Sequence, residues 1–127
     1  MVDLTKITIQ QYQERLDKWL EALRSGKYEQ TKRALSDNQG GFCCLGVACD
    51  LSGLGKWGAN ERGGTYLNCE KFLPDQVMKY YGLRNGMGAF SYKDCLSSEN
   101  DRGATFTEIA DIIEKLHDTL FTWELKS

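Results

Sequence analysis

The chain carries no excess of positive charge. Its 16 lysines and arginines stand against 18 aspartates and glutamates, so the net charge of -2 supplies no field for duplex nucleic acid. No apolar run approaches the ~20 residues that a membrane span needs. The opening residues, Met1 to Lys6, lack the basic, apolar and small segments of a signal peptide. A cytoplasmic protein is therefore expected, with no membrane partner. There is no internal repeat, linker or low-complexity tract. The five cysteines, Cys43, Cys44, Cys49, Cys69 and Cys95, include no C-x-x-C pair. Their odd number and their spacing fit neither a zinc site nor a secreted disulfide framework. No cofactor is implied. The chain also lacks a carboxylate pair, a Gly-rich phosphate loop, an H-E-x-x-H sequence and a nucleophile elbow, which argues against an enzyme of a known motif class.

What is present reads as a globular chain. The 127 residues are enough for one domain, taken here as 1–127, and enough to bury a core without staples. The run Phe42-Cys43-Cys44-Leu45-Gly46-Val47-Ala48-Cys49 has no charge and no strongly polar side chain. It must be buried, and the spacing up to Gly53 predicts a helix over 43–52. Gly46 inside that helix costs ~1 kcal/mol relative to alanine, which points to a close approach of another backbone or a large ring.

Two amphipathic helices flank this run. Thr8 with Gln11 makes a capping box, and Ile9, Tyr12, Leu16, Trp19, Leu20 and Leu23 follow at helical spacing to Ser25-Gly26. Thr105 with Glu108 makes a second box, and Phe106, Ile109, Ile112, Ile113, Leu116 and Leu120 form a stripe that predicts a helix from 106 to about 119. Pro74 suits the first position of a third helix that Gly82 ends. Residues 27–41 read two ways, as a short helix or as extended segments. The turn composition of Ser36 to Gly41 favours a small hairpin ending at Phe42. Residues 53–72 read as a long irregular excursion, with a short strand possible between Tyr66-Leu67 and Phe72-Leu73. One short helical turn is possible from Ser91 through Leu96, and 99–103 read as a turn. Phe121, Trp123 and Leu125 form an apolar tail that packs back or meets a partner, with a homodimer contact as one outcome. The fold class is α+β, mainly α. The first and last helices pack on a buried central helix, and a small β-hairpin completes the domain.

Three sets of side chains carry chemistry that needs weighing. Cys43, Cys44 and Cys49 are candidate nucleophiles or ligands, but a reactive thiol needs an exposed electropositive setting and a base. The one histidine, His117, is the available base, and small buried core residues are the simpler reading. Asn100, Asp101 and Arg102, before Gly103 and the helix start at 105, offer an anion-binding turn; the capping box and the acidic neighbours argue for a structural turn. Trp57, Arg62 and Tyr66, on the glycine-rich excursion, read equally as a stacking or protein-binding surface and as a lid on the core.

Several stretches match a pattern. They are Trp19 to Gln30 and Phe42 to Leu51, then Leu73-Pro74 with Val77, Tyr81-Gly82-Leu83, and Asn100 to Asp111. The specific parts are Cys43-Cys44-Leu45-Gly46-Val47 and Asn100-Asp101…Phe106…Ile109-Ala110-Asp111. In these the chain resembles a family of small proteins of unassigned function found widely in bacteriophage genomes and in some bacterial ones. The resemblance implies origin and fold, and brings no catalytic residues with it. The expectation that follows is a phage-encoded accessory protein in the host-cell cytoplasm. It would act by binding a host protein or a small, nucleotide-like host molecule, such as a signal used in antiviral defence. The alternatives are a small nucleotide-directed enzyme and a phage structural or assembly protein.

Overall fold

The computed structural model describes residues 7–124, so residues 1–6 and Leu125 of the apolar tail lie outside the described residues. The first helix, α1 (Ile9–Ser25), starts and stops as its caps dictate. The Gln11 N–H donates to Thr8 Oγ1 (3.1 Å) and the Thr8 N–H to Gln11 Oε1 (2.9 Å). Leu16, Trp19, Leu20 and Leu23 form its buried stripe. The uncharged run becomes α2 (Cys44–Ser52), with every residue from Cys44 to Cys49 buried. It packs on α1, on α3 (Asp75–Tyr81) and on α4 (Leu96–Asp101). Two rings reach its carbonyls: Trp19 Nε1–H donates to Cys44 O (3.0 Å) and the Tyr81 hydroxyl to Ala48 O (2.8 Å). Among the described residues no helix is long and apolar enough to cross a membrane.

The C-terminal stripe forms α5 (Phe106–Lys115), which packs on α1 and α4 behind its Thr105–Glu108 capping box. It stops earlier than its periodicity predicts. Leu116 (φ -108°, ψ 26°) breaks it, and α6 (His117–Leu120) resumes. At this break His117 turns inward onto Phe121 and Trp123, with ring centroids 4.8 and 4.4 Å away. Trp123 stacks on Tyr12 at 5.4 Å and donates its indole N–H to Tyr81 O (2.9 Å). Phe121 and Trp123 are thus core residues and present no apolar surface for a dimer contact.

The strands depart from the expected layout. β1 (Glu29–Gln30) and β2 (Gly41–Phe42) pair in parallel, so the hairpin predicted to end at Phe42 does not form. The turn before Phe42 is real, since Ser36 bridges Phe42 in antiparallel fashion. The arm leading into it bends off the ladder, with Arg33 at φ 69°. The hairpin lies instead within 53–72, where β3 (Trp57–Asn60) and β4 (Gly63–Tyr66) pair antiparallel across Glu61-Arg62. Leu67 and Asn68, both at positive φ, then reverse the chain so that Tyr66 pairs with Cys69. This second turn takes the place of the short strand considered after Tyr66. Pro74 is the N-cap of α3 rather than its first residue, because its ψ of 152° is extended. Most of the stretch 99–103 is helical, as the end of α4.

Candidate functional site

Residues 31–36 belong to no helix or strand, yet three parts of the molecule hold them. From α4, Asn100 accepts from Gln30 Nε2 (2.9 Å) and from the Cys44 N–H (3.2 Å) through Oδ1, and donates from Nδ2 to Thr31 O (2.8 Å). Next to it, Asp101 Oδ1 accepts from the Arg33 N–H (2.7 Å). That charge-assisted bond secures a left-handed arginine backbone, a conformation that costs a non-glycine residue about 1 kcal/mol. From the hairpin, the Gly64 N–H donates to Ser36 O (2.9 Å). From the strap after it, Glu70 O accepts from the Leu35 N–H (2.7 Å). The two stretches singled out in the sequence, 57–66 and 100–102, therefore meet through a third that composition left ambiguous.

A groove of about 160 Å³ opens where they meet, lined by Arg33, Ala34, Asn60, Arg62, Gly64, Glu70 and Lys71. It holds three cations and one carboxylate, the reverse of the chain's acidic balance. Arg62 grips Glu70 with both arms of its fork, Nε to Oε2 (2.8 Å) and Nη2 to Oε1 (2.6 Å), and Asn60 Nδ2 adds a bond to Oε1 (2.6 Å). The Arg62 guanidinium holds the Glu70 carboxyl below the usual carboxylate range. Arg33 and Lys71 make no ion pair among the described residues. Pockets that enclose a whole small molecule run to ~300–1,000 Å³, so this groove suits an anionic group rather than an entire nucleotide.

The predicted residues divide by their surroundings. Arg62 lies in the groove. Trp57 faces Tyr66 at the other end of the ladder, about 10 Å away at the usual rise per residue. Its ring belongs to a row, Tyr28, Phe42, Trp57, Tyr66, with successive centroids 5.4, 5.3 and 4.9 Å apart. Its N–H donates to Asp50 Oδ1 (3.0 Å), while Tyr28 donates to Asp50 Oδ2 (2.7 Å). Burial, then that hydrogen bond, raises the Tyr28 phenol above its ordinary range. Tyr66 and Asn100 are 1% and 0% exposed, so both act from the interior and a surface ligand meets neither. Arg102 spends its charge on Asp94 (3.1 Å) and Glu99 (2.7 Å). The N–H groups beside it are taken by the Thr105–Glu108 box. An anion at that turn would have to displace these partners. Sequence reasoning missed Arg33, Asn60, Glu70 and Lys71. No local pattern marks them, because they meet only through the backbone path of 31–36.

The thiols sit in the packing. Cys43, Cys44 and Cys49 are buried, and Cys69 and Cys95 are half-buried. Burial pushes the Cys43 thiol up to about 11 and holds Cys44 and Cys49 above their ordinary value. Cys43 has a local task as the N-cap of α2, where its Sγ accepts from the Gly46 N–H (3.3 Å). Among the described residues, no group of three or more His, Cys, Asp or Glu side chains is placed to hold a metal ion.

A helical domain with two small two-stranded sheets and a basic groove at the junction of three segments is the class these features define. The chain belongs to the family described as a domain of unknown function (DUF8296), which matches residues 12–117. No curated protein and no solved structure matches it.

Proposed function

We propose that this is a phage-encoded accessory protein that acts by binding in the infected cell. Its target is a host protein or a small host molecule that presents an anionic group to Arg33, Arg62 and Lys71. A nucleotide signal of antiviral defence has that chemistry. The phage origin rests on the resemblance of the Cys-Cys-Leu-Gly-Val and Asn-Asp…Phe…Ile-Ala-Asp stretches. The observation that carries the binding reading is the groove, a local excess of cations on an acidic chain. Arg62 is paired with Glu70, so the charges open to an anion are those of Arg33 and Lys71, which make no ion pair among the described residues.

Thermal-shift titration with nucleoside mono-, di- and triphosphates and cyclic dinucleotides tests the small-molecule arm, and pull-down from host lysate tests the protein arm. A saturable rise in melting temperature, or a retained host protein, that disappears in Arg33→Glu and Lys71→Glu is expected. Both residues are exposed, so the variants should fold. Binding that survives both charge reversals, or no binding in either arm, overturns the reading.

A further inference from the structure

We infer that the basic groove continues past Lys71 onto a shelf, and that the two together bind a nucleotide, phosphate in the groove and base on the shelf. This rests on the anion-binding reading of the groove and names the class of ligand, a nucleoside monophosphate unit. The shelf measures about 350 Å³ and is lined by Asn68, Cys69, Glu70, Lys71, Phe72 and Leu73. Glu70 and Lys71 also line the groove, so the two depressions share a wall. The carboxylate of that wall, Glu70, is already held by Arg62 and Asn60. Groove and shelf together offer the room of a small-molecule site, which the groove alone does not.

Phe72 separates this shelf from ordinary surface. Every other aromatic ring except Tyr92 is buried or packed against the core. Phe72 is 39% exposed, although Leu73 beside it is 5% exposed. The Lys71 ammonium rests over the Phe72 ring, with Nζ 5.7 Å from the centroid. A phosphate holds an ammonium more strongly than an exposed ring face does. An anion in the groove therefore draws Lys71 off the ring and uncovers a flat apolar face beside itself. A base stacks on such a face whichever base it is. Cys69 and Leu73 give the shelf an apolar bed. The exposed Asn68 side chain carries the donor and the acceptor that pair with a base edge. A sugar phosphate gains nothing from the ring, and a nucleoside without phosphate leaves Lys71 where it is. A phosphotyrosine also joins a ring to a phosphate, but it offers Asn68 no base edge.

Isothermal titration of the full chain compares adenosine 5′-monophosphate (AMP) with ribose 5-phosphate, which carries the phosphate and sugar without a base. AMP is expected to bind about tenfold tighter. Phe72→Ala, at an exposed position, brings AMP down to the level of ribose 5-phosphate, while Phe72→Tyr keeps the advantage. Arg33→Glu weakens both compounds. A second measurement reads position, because Cys69 lies in the shelf and Cys95 caps α4. Saturating AMP is expected to slow iodoacetamide labelling of Cys69 several-fold and to leave Cys95 as reactive as before, whereas ribose 5-phosphate protects neither. The inference is overturned if AMP and ribose 5-phosphate bind alike, if the advantage of AMP survives Phe72→Ala, if AMP does not protect Cys69, or if N-acetyl-phosphotyrosine amide binds as tightly as AMP. In each of these cases, binding of ribose 5-phosphate that is lost in Arg33→Glu leaves the groove reading standing. If neither compound binds, the small-molecule arm of that reading falls together with the inference.

Discussion

Gly46 has no room for a methyl group. A Cβ at this position would lie 1.8 Å from Leu35 O, a backbone atom that also accepts from the Cys43 N–H (3.2 Å) and is not free to move. Alanine is the better helix former by ~1 kcal/mol, but the clash outweighs that gain. Gly46→Ala is therefore expected to destabilise the protein by about 3 kcal/mol, read from its urea midpoint. The neighbouring thiols behave as packing atoms for a related reason. Cys43, Cys44 and Cys49 are buried and their ionisation is suppressed, so the nucleophilic thiolate is scarce at neutral pH. Brief iodoacetamide treatment of the native protein at pH 7.5 should leave these three unmodified, while Cys69 and Cys95 react first. Peptide mass spectrometry before and after denaturation distinguishes the two groups.

At the scale of the element, cysteine takes a role usually held by serine or threonine. Cys95 caps α4, accepting from the Ser98 N–H (3.4 Å) while the Ser98 hydroxyl accepts from the Cys95 N–H (3.1 Å). Sulfur is a weak acceptor, so the arrangement is a capping box of reduced strength. Cys95→Ser should match or exceed the wild-type melting temperature, whereas Cys95→Ala should cost about 1 kcal/mol. This matters beyond α4, because Asn100 and Asp101 at its far end hold the segment that carries Arg33. The elements also show what the sequence made legible. α1 and α5 could be read because each carries its own period and its own capping box. α2 could be read from one uncharged run ended by a glycine. β1 and β2 have two residues each and pair in parallel across an irregular excursion, so no period or turn signal announces them. The break at Leu116 depends on aromatic packing from the tail, which helical spacing does not encode.

Over the whole molecule, acid sensitivity should trace to three carboxylates, Asp37, which is exposed, and Glu70 and Asp94, which are half-buried. Asp37 accepts from the Gln39 and Gly41 N–H groups (both 2.8 Å), Glu70 pairs with Arg62, and Asp94 accepts from the Ser91 hydroxyl and Arg102. Each is held below the usual carboxylate range by the partner named. A folded value below the unfolded one means the stabilisation is complete above the unfolded value, near pH ~4, and fades as pH falls through the folded value. The melting temperature should therefore drop below about pH 4, and Asp37→Asn should lower the plateau above that point while flattening the fall. The groove was only partly legible at this scale. Arg62 stood out beside aromatic residues on a glycine-rich stretch, but Arg33 and Lys71 are 38 positions apart in ordinary surroundings. What joins them is the path of 31–36, fixed by hydrogen bonds from α4, the hairpin and the strap at Glu70. Of the six residues first singled out, Arg62 alone lines the groove; Asp101 serves it by anchoring Arg33, and Tyr66 and Asn100 support the fold from inside.

The tip of that same excursion, Asn38, Gln39 and Gly40, is exposed, while Leu35 and Ser36 just before it are buried against the groove's backing. The protein thus carries a natural attachment point for an optical reporter. A dye coupled at Gln39→Cys would sit in solvent a few residues from Arg33 without entering the core. In a background where Cys69 and Cys95 are serine, a change in its emission would follow occupancy of the groove in real time, including by targets whose chemistry is not known in advance.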